Sequence, residues 1–163
     1  MQWNEFGQRL QATLRTLTDR CYLIVSAPAD GGYVQFACAT GALTAEASGP
    51  GSVGGAATHE ADDPALLAAG WTAPADHQPN WSFELPLPAL TSEYAGLAER
   101  CTVALRDVLH VAAPDTLTYS AWRDPALQPA GVTWSPERID ELDRGEFPLP
   151  LPTLGLPLES VTR

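Results

Sequence analysis

The beginning of the chain changes from a helical to a β-strand pattern of hydrophobic residues. Apolar residues recur every three or four positions from Trp3 to Leu17, a spacing that predicts an amphipathic helix over residues 3–19. Residues 21–26 and 33–39 are rich in strand-forming residues, and a third run, residues 43–47, alternates polar with apolar positions. Turn residues separate the three runs. They therefore predict a three-stranded antiparallel meander after the helix.

The middle of the chain continues with a Gly-rich loop, a short helix, a strand, a long helix and a strand. These are predicted, in order, at residues 48–57, 64–70, 81–85, 94–110 and 117–122. Pro64 suits the first turn of the short helix, and Gly70 suits its end. The fold class that follows is α+β: an antiparallel sheet of about four or five strands, with the N-terminal helix and the long later helix packed on it.

The last quarter of the chain differs in composition, because prolines become frequent after residue 122. We therefore expect an α+β domain over residues 1–122 and a Pro-rich C-terminal extension over residues 123–163, separable from the core. Within the extension, Ser135, Pro136 and Glu137 have the order of an N-cap, a first helical position and an acidic first turn. They predict a short helix over residues 136–144.

Residues 147–158 alternate prolines with apolar residues, and Leu149 and Leu151 stand between prolines. In an extended segment these prolines remove N–H donors along one edge and leave the other edge able to pair. We expect the segment to lie extended on an apolar groove, either of its own core or of a neighbouring protomer. It would then cover the site that a client peptide uses. The alternative is a solvated, polyproline-like tail.

The charge of the chain narrows its possible partners. Twenty acidic residues against nine arginines and no lysine give a net charge of -11, which repels nucleic acid and anionic membranes. The first residues lack the basic and apolar regions of a signal peptide, and no apolar run is long enough to span a membrane. We therefore expect a cytoplasmic protein. The three cysteines are isolated among apolar residues and are interpreted as buried thiols.

The sequence carries no recognisable catalytic, metal or cofactor motif. His59, His77 and His110 lack a nucleophile elbow, a zinc-binding spacing or a phosphate loop around them. Residues 59–63 combine a histidine with carboxylates, but a solvated acidic turn accounts for them better than a cation site. We expect no catalytic residue, no metal and no cofactor. The open alternative is a hydrolase that uses one of the loop histidines.

Tryptophans outside the periodic segments are the candidate partner-binding residues. Trp71, Trp81 and Trp134 lie in or next to predicted loops, where an indole often anchors an interface. The alternative is that they fix loops onto the sheet. Together with Leu149 and Leu151, they complete the predicted partner-binding set.

The order of these segments resembles a known family, the Tir chaperone/YbjN-like (TY-Chap) domains of actinobacterial proteins. The resemblance covers roughly residues 1–122 and rests on the following positions: Trp3, YVQFA at 33–37, the strand at 43–46, Gly70-Trp71 with Pro74 and Asn80, and Val108-Leu109. It implies a type III secretion chaperone-like fold with helices packed against an antiparallel sheet. It also implies a binding role without catalysis, often as a homodimer.

Together, the pattern and the resemblance predict a non-catalytic protein-binding module. A chaperone-like or adaptor-like protein would hold a client segment on an apolar surface. The alternative is an acidic immunity-type or regulatory protein that blocks a basic toxin or enzyme surface. We also expect a homodimer, formed through the sheet or through the long helix.

Overall fold

The computed structural model describes residues 1–29, 31–49 and 62–159 of the chain. Most of the predicted Gly-rich loop lies outside these residues. The helices are α1 (Trp3–Leu14), α2 (Asp63–Ala68), α3 (Thr91–Val103) and α4 (Pro136–Asp140). The strands are β1 (Cys21–Ser26), β2 (Tyr33–Ala39), β3 (Ala42–Ala47), β4 (Trp81–Pro86) and β5 (Thr118–Arg123).

The five strands form one antiparallel sheet in the order β4-β3-β2-β1-β5. Residues of β1, β2 and β3 alternate strictly between buried and half-buried along each strand, because successive side chains of a strand point to opposite faces. One face is therefore apolar and buried, with Leu23, Phe36 and Ala45 at its centre. The α+β class predicted from the sequence is confirmed.

Helices α1 and α3 cover the apolar face of the sheet. Phe6, Leu10 and Leu14 of α1 are buried, as are Leu97 and Cys101 of α3. Helix α1 ends at Leu14 rather than near residue 19 as predicted. A turn follows in which the amide of Leu17 donates to the carbonyl of Leu14, and this turn keeps Leu17 in the core.

The long helix predicted over residues 94–110 changes geometry after Val103. Residues Ala104–Val108 form a π-helical turn, and His110 ends it with a φ of 54°. A π-helical turn holds an extra residue and so rotates the residues that follow it. Leu105, Val108 and Leu109 all remain buried as a result. The apolar pattern predicted one continuous helix over these residues, and it did not predict this change of winding.

The C-terminal extension lies along the outer edge of β5. The amide of Leu149 donates to the carbonyl of Ala121 at 2.8 Å, and the amide of Tyr119 donates to the carbonyl of Pro157 at 2.9 Å. Arg123 and Glu146 exchange both of their backbone hydrogen bonds. The 3₁₀ turn Pro152–Leu154 then packs against α1. The segment thus docks on its own chain, and whether it is separable from the core stays a prediction.

A cluster of charged side chains fastens the extension to the sheet. The Arg123 guanidinium donates to both carboxylate oxygens of Asp143, at 2.8 and 3.2 Å, and Arg20 donates to Asp143 at 3.2 Å. Hydrogen bonds from Arg123 and from the Gly145 amide hold the pKa of Asp143 well below its ordinary value. The carboxylate therefore stays ionised and paired. The predicted helix nearby is confirmed as α4, which ends at Asp140 rather than at residue 144, and Ser135 caps it by accepting from the Arg138 amide.

In the part of the chain that the structure describes, no helix has the length and apolarity needed to cross a membrane.

Candidate functional site: the open face of the sheet

The predicted partner-binding tryptophans occupy different environments. Trp71 and Trp81 are only 3% and 2% exposed, and Trp71 packs edge-on against Phe83 with ring centroids 6.5 Å apart. Trp134 is half-buried, and the Arg138 guanidinium covers its ring at 4.3 Å. The structure therefore does not bring these three indoles together into one surface. That they bind a partner stays a prediction.

The two predicted leucines belong to the docked extension. Leu149 is half-buried beside β5, and Leu151 is buried, with its amide donating to the Tyr119 hydroxyl at 2.8 Å. Both therefore contribute to closing the edge of the sheet. Their role toward a partner likewise stays a prediction.

The sheet face opposite α1 and α3 is the surface that sequence reasoning did not select. Its side chains are half-buried on β1, β2 and β3, and strand register arranges them in two rows across the sheet. The first row is Trp122, Tyr22, Ala37, Thr44 and Glu84. The second row is Ser120, Ile24, Gln35, Glu46 and Ser82. We call this surface the open face.

A shallow cavity of ≈ 220 Å³ lies on the open face. Its lining includes the small residues Ala37 and Thr44 together with larger neighbours on both sides. Tyr22 and Trp122, at one end of the first row, stack with ring centroids 5.2 Å apart and planes inclined by 14°. Phe147 of the extension lies 6.4 Å from the Trp122 ring. The cavity thus has an aromatic wall on its β5 side.

The other side of the cavity is formed by the Glu46 carboxylate. Gln35, Gln78 and Asn80 all donate side-chain amide hydrogen bonds to it, the last two at 2.7 and 2.9 Å. Burial alone would raise the pKa of Glu46, but these three hydrogen bonds together hold it below the ordinary value. The carboxylate is therefore anionic and fixed in position. Neutral amides orient this charge without cancelling it.

The β5 edge of the sheet is covered by the extension, and the β4 edge is bridged at Ser82. Along β5, the extension bonds to the backbone of Tyr119, Ala121 and Arg123. Along β4, Ser82 exchanges two hydrogen bonds with Thr72 at 2.8 and 3.0 Å, and Pro86 has no N–H to offer. Addition of a client strand to either edge would require these contacts to open. The open face offers a surface that needs no such change.

Among the described residues, those considered for chemistry do not assemble into a site. His77 and His110 are exposed on separate loops, and His59 lies outside the described residues. The described part of the chain holds no group of three His, Cys, Asp or Glu residues placed to bind a metal ion. Cys21, Cys38 and Cys101 are free and buried, as predicted, and burial raises the pKa of the Cys38 and Cys101 thiols.

The open face could be recognised only in part from the sequence. The alternation of Thr44 and Glu46 with apolar neighbours marks a half-exposed strand. It does not reveal that Tyr22 and Trp122, 100 positions apart, face each other across β1 and β5. That neighbourhood depends on the strand order, which local pattern does not encode.

The whole sheet lies within the part of the chain that a protein-family model matches. The model of TY-Chap3, described as T3SS (YopN, CesT) and YbjN peptide-binding chaperone 3, matches residues 1–123. No curated protein and no solved structure matches the chain. The matched residues run through the end of β5 and so include every strand of the sheet. The resemblance seen in the sequence is confirmed, and the chain belongs to the TY-Chap3 family of peptide-binding chaperones.

Proposed function

We propose that this protein is a non-catalytic, cytoplasmic chaperone-like module that holds an extended client segment on the open face of its sheet. The observation that carries the proposal is the cavity itself, which lies between stacked aromatic rings and a fixed carboxylate. Aromatic surface supplies sequence-tolerant contact area, and a few polar groups fix orientation. The family supports a peptide as the ligand.

The size of the cavity favours a peptide over a small-molecule cofactor. Its volume of ≈ 220 Å³ is below the roughly 300–1,000 Å³ of small-molecule sites. It suits one or two side chains of a longer ligand, whose backbone would lie across the strands. With the β5 edge covered by the extension and the β4 edge bridged at Ser82, side-chain contacts on the face would provide most of the affinity.

A peptide-display selection tests this proposal. Unstructured peptides of about 12 residues would be selected against the full chain, and their affinities measured by fluorescence anisotropy. Thr44→Trp fills the cavity without removing a core side chain, and we expect it to weaken binding at least about tenfold. Trp122→Asp, which breaks the aromatic wall, should act in the same direction. Leu127→Asp is the matched control, because Leu127 is 81% exposed in the extension.

Two results would contradict the proposal. One is that no peptide binds the folded protein above the level of an unrelated folded domain. The other is that Thr44→Trp and Trp122→Asp, shown by circular dichroism to be folded, bind as tightly as Leu127→Asp and the unaltered chain.

If the protein is instead an acidic immunity-type or regulatory protein, the same variants should affect partner binding differently. A folded basic toxin or enzyme would contact the charged rim of the open face, where Glu84 is exposed, rather than the floor of the cavity. Its binding would weaken steeply with salt, but Thr44→Trp would affect it little.

The homodimer expected from the resemblance stays a prediction, which light scattering across a range of concentrations would decide.

A further inference from the structure

We propose that the cavity of the open face binds an arginine side chain of the client, with the guanidinium against the Glu46 carboxylate. This inference rests on the proposed function, because it names the chemistry of the client that the open face would hold. Three features of the site support it: an uncompensated charge, an aromatic wall and a floor of small side chains.

The uncompensated charge is that of Glu46. Among the described residues, its side-chain hydrogen-bond donors are three neutral amides, and none that lines the cavity is an arginine or a lysine. A carboxylate accepts about four hydrogen bonds, so the three amides leave capacity for one more donor. A partly buried anion without a counter-ion is a place where a cation from another chain gains energy.

The amides also hold the Glu46 carboxylate in a fixed orientation before a ligand binds. Gln78 donates to Oε1 at 2.7 Å, whereas Asn80 donates to Oε2 at 2.9 Å and itself accepts from the Tyr33 hydroxyl. The carboxylate is thus held from the loop before β4 as well as from β2. A fixed acceptor loses little conformational entropy when a ligand binds.

The aromatic wall and the small floor suit the stem of a long side chain. Ala37 and Thr44 are register partners that leave room above them, and Tyr22 stands beside Ala37 on the next strand. Register places Glu46 diagonally from Ala37, roughly 7–8 Å away. An aliphatic stem over the floor would therefore carry a terminal cation to the carboxylate.

Arginine fits this arrangement better than lysine. A guanidinium is more weakly hydrated than an ammonium group, so it costs less to bring into a partly buried cavity. Its planar group presents five N–H donors in a fixed geometry, and one of them is enough for the remaining acceptor position of the Glu46 carboxylate. The negative charge of the whole chain, -11, adds a long-range attraction for such a client.

The test compares two forms of one selected peptide, containing either arginine or its neutral isostere citrulline at the same position. We expect the unaltered protein to bind the arginine form roughly tenfold more tightly. Glu46→Gln, which keeps an acceptor oxygen but removes the charge, should bind both forms with similar affinity. Glu99→Gln removes the same charge from an exposed position of α3, on the opposite side of the sheet. This variant should retain the full preference for the arginine form.

The outcomes separate this inference from the proposed function. If the two peptides bind equally to the unaltered protein while Thr44→Trp still abolishes binding, the arginine inference is wrong and the proposed function stands. A preference for arginine that survives in Glu46→Gln places the cation elsewhere and also overturns the inference. Selected peptides that lack basic residues altogether would do the same. If Thr44→Trp changes nothing, the proposed function itself fails.

Discussion

Replacing Leu154 with alanine is expected to lower the free energy of unfolding by about 2–5 kcal/mol. Leu154 is fully buried in the 3₁₀ turn that packs against α1, although it lies 31 residues beyond the end of β5. Shortening it leaves a cavity that the surrounding side chains fill only partly. Urea denaturation followed by circular dichroism would measure the loss.

The control for this prediction is Leu127→Ala. Leu127 belongs to the same extension but is 81% exposed, so the substitution should change stability by less than about 0.5 kcal/mol. Equal and small effects of both substitutions would show that the extension is separable after all. The core would then end within the 1–122 domain, as the composition alone suggests.

Replacing Trp81 with alanine is expected to cost about 3–5 kcal/mol of stability. Trp81 begins β4, pairs with Ala47 of β3, and is 2% exposed. Because cores are close-packed, removing the indole leaves a cavity that the surrounding side chains fill only partly. Thermal and urea unfolding of the variant would give the value.

Trp134→Ala is the matched comparison. Its indole is half-buried and contacts the Arg138 guanidinium, an interaction worth about 0.5–1 kcal/mol at exposed sites. Should Trp81→Ala leave stability unchanged and weaken peptide binding instead, Trp81 would be a binding residue, as the sequence analysis proposed, rather than a core residue.

The first three strands of the sheet were predictable because the residue patterns that specify them are local in the sequence. Strand-forming residues at 21–26 and 33–39, with turn residues between them, specify a hairpin, and a third run that alternates polar with apolar positions extends it. The N-terminal helix follows from its own period in the same way. In this helix and in the third run, the spacing of apolar residues indicates which face of the element is buried.

The parts that the sequence did not predict depend on contacts between distant segments. The π-helical turn Ala104–Val108 forms within a helical pattern, and its winding depends on what the helix packs against. The open face depends on strand order, which places Trp122 beside Tyr22. Glu46 is fixed in position only when Gln78 and Asn80 fold back over β3 and donate hydrogen bonds to its carboxylate.

The tryptophans show the same contrast between local sequence pattern and contacts with distant segments. Trp71 was considered for a binding role because it stands in a loop, yet it is only 3% exposed. Position in a loop does not determine burial, since a large indole can fix that loop onto the sheet. Trp122, by contrast, lies in a predicted strand, and together with Tyr22 it forms the aromatic wall of the cavity.

The most direct test of the open face as the client surface is an NMR titration of the isotope-labelled protein with a selected peptide. We predict that the largest amide shift changes fall on Tyr22, Ala37 and Thr44, which line the cavity. Exposed positions of α3, such as Glu99, should remain unchanged. Changes concentrated on α1 and α3, or along the outer edges of β4 and β5, with none in the cavity, would contradict the account.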